Sequence, residues 1–298
     1  MVDLGSDQDT LASGDPALLE VIGPWTEVKQ EIIEKYARVY STILSSRQRP
    51  QFHHVYIDAF AGAGHYLSKA KGIAVPGSAQ RALAVEPPFR EHFFIDLDSL
   101  KVARLEALAR DRSDVTVLHG DCNQVLVEEV LPRVRYDQFR RGLCILDPYG
   151  LQLNWSTIEA VAKARSIEIF LNFPTMDINR NVLRRDPAQI TLAQASRLTA
   201  FWGDESWREL YRPMAQRPLW GEPEDRKSAT NEEVAEMYRQ RLEKVAGFAF
   251  VPRPLPMRNS TNAIVYYLFF ASHHKLGKDI AEDIIELERV FARYRKRG

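Results

Sequence analysis

A chain of 298 residues, 45% of them hydrophobic, can bury a full core as one large α/β domain with an insertion or as two ordinary domains, and the single domain is the preferred reading. Its 40 basic and 40 acidic side chains cancel, so no whole-molecule field draws it to nucleic acid or to an anionic membrane, and nucleic-acid contact would need a local patch. Cys122 and Cys144 lack CxxC spacing and are too few to hold a structural zinc without histidine help, and no stretch reaches the roughly eighteen apolar residues of a membrane span, so the expectation is a soluble cytoplasmic protein without a metal site.

In chain order, residues 1 to about 16 are rich in Asp, Ser and Gly and carry no apolar leader, which predicts a mobile tail, with residues 1–24 outside the folded domain. In "PWTEVKQEIIEKYARVYSTILSS", Val28, Ile32, Ile33, Tyr36, Val39, Tyr40 and Ile43 recur at helical spacing, and Thr26 is placed to cap that helix. Strand-like runs then alternate with helical patterns. "HHVYIDAF" is followed by a helix after Pro76, "HFFIDLD" by a helix opened at Ser99, "DVTVLHGD" by "CNQVLVEEVLPRV", "GLCILDPYG" by "WSTIEAVAKAR", and "SIEIFLNFP" closes the series. Short runs of Ile, Val, Phe and Leu separated by helices predict a doubly wound, mostly parallel sheet covered on both faces. About seventy residues follow, at 178–246, longer than a crossover needs, and they are expected to form a helical insertion over the site, with Trp202, Trp207 and Trp220 anchoring its packing. "FAFVPRPLPM" and "NAIVYYLFFASH" are expected to pair as an antiparallel hairpin completing a seven-stranded sheet, before an amphipathic helix from "LGKDIAED" to the end.

The chemistry is expected at the strand ends. In a doubly wound sheet ligands bind beyond the carboxyl ends of the strands, where strand order reverses. The turn "DAFAGAG" stands there if "HHVYID" is the central strand, and small residues such as Gly62 and Gly64 let backbone N–H groups approach a ligand. Asp58, Asp96 (with Asp98 two residues on), Asp121 and Asp147 each close or follow a strand. Any one of them could be a helix cap, but their alignment favours a shared ligand. Asp96 or Asp98 would accept from ribose hydroxyls and Asp121 from an adenine amino group. Without a Walker lysine or GxGxxG, and with acids around the turn, an adenosine carrying a cationic sulfonium fits better than a pyrophosphate. The expected cofactor wall is Asp58, Ala59, Phe60, Gly62, Gly64, Asp96, Asp98, Asp121 and Cys122, and the expected cofactor is S-adenosylmethionine.

These motifs, in this order, resemble class I S-adenosylmethionine-dependent methyltransferases over roughly residues 53 to 175 and the terminal hairpin. A closer resemblance, from Trp25 to about Gly277, is to the three-Cys-motif partner protein (TcmP) family at "WTEVKQEIIEKY", "YIDAFAGAG", "FFIDLD", "LDPYG", "LNF" with "DINR", and "YYLFFASHHKLG". That resemblance implies a methyltransferase-like fold and a protein partner carrying a three-cysteine motif, without a settled reaction. "DPYG" is similar to the fourth motif of amino-group methyltransferases, less one proline. On that likeness Asp147 and the Pro148 carbonyl would accept from the attacking group while Tyr149 stacks on a base. Asn172 and Arg180, with Arg184 and Arg185 at helical spacing, are the expected substrate contacts, the substrate being a nucleoside or nucleic acid. Lys29, which recurs in the family resemblance, could reach the cofactor, but a surface position is the preferred expectation, and His65, His273 and His274 are expected in structural roles. The competing readings are a non-catalytic nucleoside-binding partner subunit and a hydrolase of an adenosyl compound.

Overall fold

The computed structural model describes residues 20–47, 49–181, 189–213, 225–227, 229–259 and 261–295. Most of the expected tail, together with Arg184, Arg185 and Trp220, lies outside the described residues. The boundary near Trp25 comes out differently. Val21–Ile22 forms a short strand, β1, and helix α1 already begins at Pro24, running Pro24–Ser46. Proline at the first helical position has its φ preset and no N–H to leave unpaired, so the helix opens behind an extended Gly23 rather than at the expected Thr26 cap. The apolar spacing holds in the middle of the helix, while Val39 is exposed and Val28 and Ile43 are half-buried. Ile32, Ile33, Tyr36, Ala37 and Tyr40 are buried, with Tyr36 edge-on to Phe170 at 5.3 Å between ring centroids.

The chain then enters β2 (His53–Asp58), followed by β3 (His65–Ser68), β4 (Ala74–Pro76) and α2 (Ser78–Leu83). Next come β5 (Glu91–Asp96), α3 (Ser99–Ala109), β6 (Val115–His119), α4 (Cys122–Val125, continued by a π-helical turn to Val130), β7 (Arg140–Leu146), α5 (Trp155–Ala164) and β8 (Ile167–Phe173). The remainder is α6 (Thr175–Asn181), α7 (Leu192–Trp202), β9 (Tyr211–Pro213), β10 (Asp225–Lys227), α8 (Asn231–Arg241), β11 (Leu255–Arg258), β12 (Ile264–Ala271) and α9 (Lys275–Arg295). Seven strands form one sheet in the order β11-β12-β8-β7-β2-β5-β6. Neighbours from β8 to β6 pair in parallel, and β12 runs antiparallel to both β8 and β11.

The order steps outward from β2 through β5 to β6, then returns to β7 on the other side of β2. The reversal therefore lies between β2 and β7, which fixes where a ligand cleft should open. Helices cover both faces. One core layer contains Tyr36, Tyr40, Phe94, Phe170 and Phe270. The other contains Phe173, Phe269, Trp155 and the insertion residues Phe201, Trp202, Trp207 and Tyr238. This is a doubly wound architecture, with a single antiparallel strand, β12, inside the sheet.

Three details differ from expectation. The turn after β2 feeds a separate three-stranded sheet, β1-β3-β4, whose two-to-four-residue strands are too short to show a period. The insertion is helical but also carries a two-stranded ribbon, β9 with β10. In "FAFVPRPLPM" the strand starts only at Leu255, because Pro252 and Pro254 have no N–H for a ladder; Phe250 contributes an isolated bridge to Ser272.

Candidate functional site

A cleft of about 1090 Å³ opens beyond the carboxyl ends of β2, β5, β6 and β7. Its wall includes Ala59, Phe60, Gly62, Asp96, Asp98, Asp121, Cys122, Asp147, Pro148, Tyr149, Asn172 and Arg180. Asp58 and Gly64 are not brought to it.

The turn after β2 is stitched to both neighbouring strands: the Ala59 N–H donates to the Ile145 carbonyl (3.0 Å) and the Ala61 N–H to that of Ile95 (2.9 Å). Gly62 has φ +66°, a backbone conformation that favours glycine, and a Cβ there would lie 2.7 Å from the Tyr66 hydroxyl. The Gly62 N–H donates to Asp96 Oδ2 and the Asp98 N–H to Asp96 Oδ1, each at 2.9 Å. Two backbone donors thus fix the plane of the Asp96 carboxylate, and each oxygen keeps a further acceptor position.

Asp58 lies beneath this turn, 1% exposed. Its Oδ1 accepts from the Phe60 N–H (3.2 Å), and burial pushes its pKa up to about 7 against the opposing effect of hydrogen bonds from the Ser78 side chain and the Phe60 N–H. It supports the turn from below. Gly64, at φ +83°, accepts at its carbonyl from the Gly77 N–H (2.6 Å), and a Cβ on Gly77 would come within 2.7 Å of that oxygen. The pair makes a close backbone crossing behind the wall.

Asp98 and Asp121 reach the wall, but each also caps a helix. Asp98 accepts from the N–H groups of Leu100 and Lys101 at the start of α3, which opens at Ser99 as expected. Asp121 accepts from the Asn123 N–H and side-chain amide at the start of α4. Cys122 is buried, and burial, with the Asp121 charge adding to it, pushes its thiol up to about 12, so it is an apolar patch of wall rather than a nucleophile.

Asp147, at the end of β7, is held on both oxygens. Oδ1 accepts from the Asn172 side-chain amide at 2.6 Å, and Oδ2 is ion-paired with Lys29. The expected surface position of Lys29 is overturned: it is 5% exposed, projects from the first turns of α1 onto the cleft floor, and has its ammonium 5.3 Å from the Tyr266 ring centroid. Tyr266 in turn donates to the Trp25 carbonyl at 3.0 Å. The Tyr149 ring is 55% exposed at the mouth, where its hydroxyl bonds to Glu20 and the Lys101 ammonium lies 5.2 Å from its centroid. Arg180 on α6 and Arg197 on α7 stand at the rim, so the insertion contributes to the cleft while its Trp202 and Trp207 are buried in the core. Nothing in the sequence pattern singled out Glu20, Lys101, Arg197 or Tyr266. The short segment ahead of α1 and the register of β12 place the first and last of these.

The cleft lining therefore carries Asp96, Asp98, Asp121 and Asp147, with Lys29 buried beside Asp147, and also Lys101, Arg180 and Arg197. Such a cleft favours a ligand whose inner part is cationic or rich in hydroxyls. His273 bonds the Ala162 carbonyl (2.8 Å) and stacks on Phe248, a structural role. Among the described residues no three His, Cys, Asp or Glu side chains gather as a metal site, and no helix is long and apolar enough to cross a membrane.

No protein-family model and no curated protein matches the chain. Among solved structures it is similar to protein LPL1258 from Legionella pneumophila, at 12% identity, with 88% of this chain and 91% of that one covered and a TM-score of 0.44. It is similar to a DUF574 family protein from Streptomyces avermitilis at 12% identity, 89% and 88% coverage and a TM-score of 0.40. A third similar structure is an S-adenosylmethionine-dependent methyltransferase from Clostridium acetobutylicum, at 8% identity, 80% and 90% coverage and a TM-score of 0.38. Likeness at this level adds nothing to the strand order and site geometry above.

Proposed function

We propose that the cleft binds S-adenosylmethionine and that the protein is a methyltransferase acting on a nitrogen or oxygen of a nucleobase-containing substrate. The observation that carries this reading is the Asp96 carboxylate, held by the Gly62 and Asp98 N–H groups beside a turn whose backbone favours glycine at Gly62. Its two remaining acceptor positions suit the paired hydroxyls of a ribose, and the residues present fit an adenosyl group: acids on the floor, small residues on the turn, and the apolar Cys122 and Phe60 nearby.

Bound there, the cofactor would supply a methyl group on a positively charged sulfur. The chain's own part is positional. Asp147, oriented by Lys29 and Asn172, accepts a hydrogen bond from the attacking N–H or O–H on an acceptor position those two leave open. The Pro148 carbonyl and the Tyr149 ring at the mouth complete the arrangement, with Arg180 and Arg197 available to a phosphate. The resemblance to the three-Cys-motif partner family supports a protein partner with a three-cysteine motif, and two free, buried cysteines suit a reducing cytosol.

One observation favours a second reading. Both oxygens of Asp147 already have partners, which also suits a nucleoside-binding subunit that performs no chemistry. Calorimetry with S-adenosylmethionine and S-adenosylhomocysteine decides the shared part: binding is expected, and Asp96→Asn should weaken it at least tenfold. Assay of RNA, DNA and nucleoside pools for S-adenosylhomocysteine release decides the rest. Loss of turnover with retained binding in Asp147→Ala is the methyltransferase result, and binding without turnover on any acceptor is the subunit result. Absence of binding by the wild-type chain would overturn both.

A further inference from the structure

A second cavity, of about 300 Å³, lies at the opposite pole, where the parallel strands begin. It is enclosed by the second half of α1, the start of α9 and the first residues of β7 and β8, and Tyr40, Ile43, Leu44 and Ile280 give it apolar walls. Set into this wall is Arg141, only 8% exposed.

The guanidinium carbon of Arg141 lies 3.9 Å from the Tyr136 ring centroid and 5.0 Å from that of Phe52. Nη1 donates to the carbonyls of Arg140 (2.8 Å) and Tyr136 (3.1 Å). No carboxylate among the described residues pairs with it, and Arg141 is part of the cavity lining. Glu168 is also on the wall, but its oxygens are turned to the hydroxyls of Tyr36 and Ser272.

A guanidinium stays charged in folded proteins, and a charge this deep calls for an anion. A planar guanidinium fork matches two coplanar oxygens, which is carboxylate geometry. Arg47 and His274 also line the cavity, and the Ser166 hydroxyl is directed to the Val134 carbonyl. The remaining wall calls for an apolar body, best an aromatic one beside Tyr40 and Phe52. We propose that this cavity is a binding site for a small organic acid with an apolar body, its carboxylate held by Arg141.

The test is calorimetric titration of the full chain with benzoate, phenylacetate and the neutral amide benzamide. At least one acid should bind, and benzamide at least tenfold more weakly. Arg141→Met should abolish acid binding. Leu276→Trp, at a half-exposed rim position, should do the same by filling the entrance while leaving Arg141 in place. Asp96→Asn, in the other cleft, should leave acid affinity unchanged. The proposal is overturned if neither acid binds at millimolar concentration, if benzamide binds as well as benzoate, or if a variant with wild-type circular dichroism keeps full affinity for the acid after Arg141→Met or Leu276→Trp.

Discussion

Glu168→Gln should make the protein more stable above neutral pH and nearly unchanged in acid. Glu168 lies within β8 at 5% exposure, and burial raises its carboxyl from the ordinary 4.5 to about 7, against the opposing effect of hydrogen bonds from Tyr36 and Ser272. Because the folded-state pKa is the higher one, the folded chain keeps a proton that the unfolded chain releases. Stability therefore falls as pH rises from about 4.5 and levels off above about 7. Linkage with these two values gives a loss of about 1 kcal/mol by pH 5 and about 3 kcal/mol by pH 8. Glutamine removes this loss while keeping the contacts. An amide nitrogen at the Oε1 position can donate to Ser272 Oγ, whose own hydrogen is within reach of the His274 carbonyl at 3.2 Å. Urea unfolding followed by tryptophan fluorescence at pH 5 and pH 8 should show the variant's advantage growing by about 2 kcal/mol. Asp58 also titrates with a raised pKa, but it is common to both chains and drops out of the difference. An advantage that does not change with pH would refute a carboxyl held protonated by burial.

Two further substitutions probe the cleft. Gly62→Ala forces a side chain into a φ of +66° and against the Tyr66 hydroxyl, so it should destabilise the chain by about 1–2 kcal/mol and weaken S-adenosylmethionine binding at least tenfold, read by urea unfolding and calorimetry. Wild-type affinity in a folded variant would remove the turn from the site. Lys29→Met leaves Asp147, one-third exposed, without its cation and should cost about 1–3 kcal/mol. Adding Asp147→Asn should recover most of that loss in a double-mutant cycle, and strictly additive effects would show that the pair does not interact.

Much of the scaffold was legible because its signals are local. Runs such as Val55–Asp58 and Phe93–Asp96 are too short and too apolar for anything but buried parallel strands, and their acidic ends recur in step with the alternation. The same pattern could not tell Asp96 from Asp58. Both follow apolar runs, yet one faces the cleft and the other is buried below the turn, a distinction set by how Gly62 and Gly64 bend the chain. Lys29 was illegible for a different reason. Helical spacing shows which face of α1 is buried but not what lies across from it, and Asp147 arrives there only through the tertiary fold. Similarly, Asp98 and Asp121 read as ligand acids from their position after strands, although each also meets the capping needs of the helix it precedes.

The floor of the large cleft joins Lys29 to a partner 118 residues later in the chain, while Asn172 reaches the same carboxylate from 25 residues beyond it. Electrical balance at the bottom of the cleft thus depends on α1 being docked against a sheet that contains β7 and β8. A fragment starting at β2 would retain the glycine turn and Asp96 but hold a bare negative charge beneath them. Its discrimination between charged and uncharged sulfur compounds should differ from that of the intact chain even where its affinity for adenosine survives.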